Sequence, residues 1–71
     1  MKLGNHLKRL RFDDNNLSQE ALAKEVGVIR QTIISIEKGR FVPSTYLALK
    51  LAKYFNKPVE EIFYIIEDNE N

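Results

Sequence analysis

The residues with the most to offer chemically lie in one stretch, Arg30-Gln31-Thr32-Ile33-Ile34-Ser35-Ile36-Glu37, with Lys38 behind it. At about 100° per residue a helix carries Arg30, Gln31, Ile34, Ser35 and Lys38 on one side and Ile29, Thr32, Ile33 and Ile36 on the other. The second side is greasy and suits a core. The first is a row of the kind that reads base edges. Arginine takes guanine O6 and N7 as a fork, glutamine takes adenine N6 and N7, and a good bidentate pair discriminates by about 1–3 kcal/mol. Ile34 stands in the middle of this row, where the chain's own core gives it nothing. It packs on a thymine C5-methyl, meets another protein, or is a single tolerated surface isoleucine.

Other chemistries find no support. No carboxylate pair, nucleophile with a base, phosphate-cradling loop or metal cluster is set out, so no catalytic residue, metal or cofactor is expected and the chain does not read as an enzyme. Cysteine is absent, which removes disulfides and thiolate sites; the single histidine, His6, makes no metal site alone and reads as a surface residue. Nothing points to a small-molecule ligand.

A chain of 71 residues has room for one small domain, which buries only about 60% of its unfolded surface. Stability must then come from helix packing, aided by dimerisation. No apolar run approaches the roughly 20 residues of a membrane span, and the N-terminus has no secretion-signal pattern. A cytoplasmic compartment and no membrane are the expectation. The net charge of +1 conceals a segregation: residues 1–57 hold all eleven Lys and Arg against five acids, a net of +6, while residues 58–71 hold five acids and no base, a net of −5. A basic body suits a polyanion, because Lys and Arg release counterions from phosphate; an acidic tail is repelled by the same surface.

Helical spacing runs along the whole chain, and clean alternation does not. The sequence predicts an all-α fold of five helices. Leu3, Leu7 and Leu10 stripe a first helix over residues 3–13, ended by Asp13-Asp14-Asn15-Asn16. Ser18 caps a second over 18–25, with Leu17 and Leu22 as a hydrophobic staple. Val26-Gly27-Val28 makes a turn in which glycine takes positive φ. A third helix, 29–38, stops at Gly39. Ser44 caps a fourth, which buries Leu47, Ala48, Leu51, Ala52 and Phe55, shows Tyr46, Lys50 and Lys53 outward, and closes at Asn56. Pro58, Glu60 and Glu61 suit the start of a fifth, with Ile62, Phe63 and Ile66 as its apolar face. Residues 1–67 form the single domain and 68–71 a frayed acidic tail.

Taken in order, these pieces resemble the lambda-repressor-like, Cro and Xre class of helix-turn-helix domains. The matching residues are Leu7, Leu10 and Arg11; Leu17-Ser18-Gln19-Glu20-Ala21-Leu22-Ala23; Val26-Gly27-Val28; Arg30-Gln31-Thr32-Ile33; Ile36-Glu37-Lys38-Gly39; Pro43-Ser44; and the runs 47–52 and 60–63. The resemblance covers nearly the whole chain. It implies a compact helix-turn-helix domain whose third helix lies in the major groove beneath the second. Gln19 then matches a position that binds phosphate and braces the reading helix. Arg30, Gln31, Ile34 and Ser35 match base-facing positions, Thr32 lies close to phosphate, and Lys38 and Arg40 lead into a loop on the DNA backbone. Arg11 and Glu37 match a partly buried ion pair between the first and third helices.

Two departures stand out. Ile29 occupies the third helix's N-cap, where relatives carry serine or threonine; this forfeits a cap of roughly 1 kcal/mol and leaves those amides to phosphate or water. The link from Arg11 to Leu17 is one residue longer than in many relatives. With so few residues after Phe63, the sensor, protease-like or oligomerisation domain of larger relatives is not expected. Operators with paired half-sites imply a homodimer, and Phe63, Tyr64, Ile65 and Ile66 form an apolar patch that either makes the two-fold contact or seals the monomer's own core. The expected function is a DNA-binding transcriptional regulator, a repressor on a double-stranded operator. The alternative is a protein-interaction module on the same fold, such as an antitoxin or anti-repressor partner.

Overall fold

The computed structural model describes residues 1–67. In chain order these form β1 (Lys2–Asn5), α1 (Leu7–Asp13), α2 (Gln19–Val26), α3 (Arg30–Glu37), α4 (Thr45–Phe55), a 3-10 turn (Val59–Glu61) and β2 (Phe63–Ile66). Four helices and a two-stranded antiparallel sheet are thus present among the described residues, where an all-α fold of five helices was expected. The tail, 68–71, lies outside the described residues. No described helix is long and apolar enough to cross a membrane.

Both corrections come from one pairing. The expected first helix, 3–13, starts only at Leu7, and the expected fifth is a single 3-10 turn running into a strand. β1 and β2 pair in the register Lys2↔Ile66, Leu3↔Ile65, Gly4↔Tyr64 and Asn5↔Phe63. Gly4 is a poor helix residue, and Tyr64-Ile65-Ile66 is an aromatic and β-branched run that fits a pleated surface. The Tyr64 ring lies over Gly4, where a Cβ would sit 2.4 Å from its Cε2. Asn5 then starts α1 by accepting the Leu7 amide on Oδ1 at 3.0 Å. Leu3 still packs against the core, because alternation along a strand turns Leu3 and Asn5 to the same side.

The helix boundaries follow local chemistry. Asn15 and Asn16 both take left-handed backbone after α1 (φ 55° and 56°), and Asn56 does so at the end of α4 (φ 55°). Ser44 Oγ accepts the Leu47 amide at 3.1 Å and caps α4. Leu7, Leu22, Val26, Ile33, Ile36, Leu51 and Ile62 are fully buried, so every helix and the segment before β2 contribute to one core. Tyr54 ties α4 to the turn after α1 by donating to Asp14 Oδ2 at 3.0 Å. Burial, this bond and the carboxylate charges of Asp14 and Glu25 hold the Tyr54 hydroxyl above its ordinary ionisation range.

Candidate nucleic-acid interface

The turn between α2 and α3 is specified residue by residue. Ser18 Oγ accepts the Ala21 amide at 3.0 Å, which fixes the start of α2. Gly27 ends it with φ 75°, a left-handed conformation that a side chain would strain. Val28 bonds back to Ala23 O at 2.9 Å and is half-buried beside the core. Ile29 is the N-cap of α3 and offers no side-chain cap. It is 70% exposed, against the expectation that it faces the core. Its backbone is extended (φ −84°, ψ 158°), so it stands outside the helix and the wheel does not govern its direction.

The far end of α3 is clamped to α1 and α2. Arg11 Nε donates to Glu37 Oε2 at 2.6 Å and Nη2 to Oε1 at 3.0 Å, a bidentate pair, while Nη1 bonds Leu17 O at 2.8 Å. Gln19 Nε2 donates to the same Glu37 Oε1 at 3.1 Å. The Arg11 and Glu37 side chains are only 13% and 6% exposed, so both charges are desolvated and depend on this geometry. Sequence reasoning did not find Asn5, whose Nδ2 donates to Ile36 O at 2.9 Å and adds a fourth tie to the same helix end. An asparagine two places before a leucine stripe was the available signal, hidden by extending the stripe back to Leu3. Gly39 (φ 75°) terminates α3, and the Arg40 amide returns to Ser35 O at 2.9 Å, the long-reaching bond of a Schellman end.

On the side away from the core, Arg30, Gln31, Lys38 and Arg40 are exposed, and Thr32, Ile34 and Ser35 are half-buried. Arg30 and Gln31 thus stand exposed at the opening turn, and Gln31 Nε2 donates to Ser35 Oγ at 3.4 Å, a long bond along the helix's own surface. Ile34 does not project as far as its place on the wheel suggested. Exposed Phe41 joins Ile29, Gln31, Thr32 and Ser35 around a shallow notch of about 120 Å³; neither Ile29 nor Phe41 had been placed here from the sequence. No group of metal-ligating side chains occurs among the described residues.

The residues expected at the dimer contact divide. Phe63 is 8% exposed and belongs to the core, whereas Tyr64, Ile65 and Ile66 are exposed along β2. The pattern follows from the end of the 3-10 turn, which drops Ile62 and Phe63 inward before the strand leaves the body. His6 lies at the surface with its ring 4.7 Å from that of Tyr64.

Residues 7–62 match the helix-turn-helix family. The chain belongs to the lambda-repressor-like (Xre) helix-turn-helix family. It is similar to an uncharacterized HTH-type transcriptional regulator of Methanocaldococcus jannaschii, at 59% identity over 79% of this chain and 83% of that one. It is 52% identical to the uncharacterized HTH-type transcriptional regulator YgzD of Bacillus subtilis, over 73% of this chain and 79% of that one. A more distant relative is the cryptic phage CTXphi transcriptional repressor RstR of Vibrio cholerae, at 34% identity over 79% of this chain and half of that protein. This is a family of DNA-binding transcriptional regulators and not of enzymes.

Proposed function

We propose that the chain is a sequence-specific transcriptional repressor of the cytoplasm that binds an operator as a homodimer, each α3 lying in the major groove of one half-site. The observation that carries this reading is that Arg30 and Gln31 are exposed at the free opening turn of a helix whose other end is locked by Arg11, Glu37, Gln19 and Asn5. A helix held rigidly at its far end needs little backbone rearrangement on binding, so the cost of ordering falls mainly on the exposed side chains themselves. Arg30 and Gln31 take base edges as forks, Ser35 adds a hydrogen bond, and Ile34 supplies apolar contact to a thymine methyl. Gln19 and Thr32 lie towards the phosphates, with Lys38 and Arg40 on the backbone beyond α3. These contacts set register and carry the salt-dependent part of affinity.

Selecting bound sites from a random duplex pool, then titrating affinity for the selected site against salt, tests this. The expected result is a two-fold symmetric site with half-sites about one helical turn apart and a steep linear fall of log affinity with log salt. A pool that yields no site would refute the reading and favour a protein-interaction module.

A further inference from the structure

Two exposed apolar side chains beside α3 serve no purpose in the core. Ile29 is 70% exposed and Phe41 47%, and with Gln31, Thr32 and Ser35 they enclose the notch of about 120 Å³. Ile29 comes just before α3 and Phe41 after it, so the two walls belong to different segments. Local bonds bring them to one side of the helix. The extended backbone of Ile29 carries its side chain off the helix, and the Arg40 amide on Ser35 O turns the following chain back beside α3. Between the walls the surface is polar, where Gln31 Nε2 donates to Ser35 Oγ. Ile34 is not one of the lining residues.

We propose that this notch receives the C5-methyl group of one thymine in each half-site, which makes Ile29 and Phe41 specificity-determining residues although both lie outside α3. The inference rests on the operator reading above and adds to it a methyl contact distinct from that of Ile34. Charge identifies the kind of partner. Arg30 follows Ile29 and Arg40 precedes Phe41, both exposed, so each apolar wall adjoins a cation, and the notch itself is lined by no acid. Such a surface meets a polyanion. On a duplex, the apolar group that a base-pair edge offers to the major groove is the thymine methyl. An aliphatic wall on one side and an aromatic wall on the other remove that methyl from water, whereas a cytosine edge leaves the notch unfilled. Gln31 agrees with this assignment, because its amide takes adenine N6 and N7 and adenine stands opposite thymine. The missing cap of α3 is also accounted for. Isoleucine at that N-cap forgoes a side-chain bond to the helix and supplies apolar area where the methyl lies.

The test uses the full chain and the duplex selected from the random pool, with each thymine replaced in turn by deoxyuracil. That exchange removes the methyl and keeps every hydrogen-bonding group of the base. The wild type is expected to lose about fourfold in affinity at one thymine of each half-site, the effect of burying a single methyl, besides any loss at the thymine under Ile34. Ile29→Ser, which still caps α3, and separately Phe41→Ala are each expected to reduce the loss at the first thymine to less than about twofold. Both leave the loss at the Ile34 thymine as it was, and Ile34→Ser does the reverse. Thermal melts by circular dichroism serve as the folding control, and the thymine-to-uracil ratio within one variant does not depend on its overall affinity. Half-sites without thymine, no uracil penalty at any thymine, penalties that persist in both folded variants, or penalties removed only by Ile34→Ser would overturn the proposal. A pool that yields no site refutes the operator reading and this contact with it; a selected site whose methyl effects ignore Ile29 and Phe41 refutes the contact and leaves the operator reading standing.

Discussion

From Ser18 to Gly39 each bend is made by a residue acting on its immediate neighbours, whereas β1 finds its partner only at the far end of the described chain. Ser18 reaches Ala21, Gly27 turns the chain in place, and Gly39 hands Arg40 back to Ser35. The sheet has no such local author. Lys2 pairs with Ile66 across nearly the whole described chain, and a lone two-stranded sheet is marginal unless something packs against it. Rigidity is placed differently in the two: α3 is fixed by short-range bonds plus one desolvated cluster, while the sheet closes the core and carries exposed residues outward.

The largest effect is expected from removing the cluster that joins the two kinds of construction. Glu37→Ala leaves the guanidinium of Arg11 buried without its partner and frees Gln19, and should cost about 3–5 kcal/mol in urea melts. Arg11→Ala should cost a similar amount, and the double variant scarcely more than either alone; strictly additive losses would show that the side chains do not act together. A smaller effect is expected at the sheet. Gly4→Ala drives the Tyr64 ring away and should cost about 1–2 kcal/mol, an effect that Tyr64→Ala largely removes, with amide exchange accelerated in β1 and β2 but not in α3. The smallest change has the opposite sign. Ile29→Thr supplies the cap that α3 lacks at an exposed position, and should stabilise the fold by about 0.5–1 kcal/mol in the same melts.

That division also explains what could be read from the residues alone. The α2, turn and α3 unit was legible because its determinants are local: a serine cap, a turn glycine, a leucine and isoleucine stripe. The caps Ser44 and Asn56 were legible for the same reason. The strands were not. Leu3, Leu7 and Leu10 have helical spacing whether or not Leu3 is in the helix, and period alone does not reveal that Gly4 lies under a tyrosine sixty positions on. Whether Phe63 makes a two-fold contact or seals the core stayed open for a related reason, since a buried and an exposed phenylalanine look alike until the turn before it is known. At the candidate interface the wheel placed Arg30 and Gln31 well, misplaced Ile29 because an N-cap is outside the helix, and overstated how far Ile34 projects.

On the proposed function, the exposed opening turn of α3 reads bases rather than merely attracting phosphate. Arg30→Ala measured against every single-base variant of the selected operator addresses it most directly. Loss of a fork to guanine should abolish a discrimination of about 1–3 kcal/mol at one step of each half-site, leave preference elsewhere intact, and change the salt slope by less than about 1. A uniform loss of affinity against all variants, with the base preferences unaltered, would contradict the account.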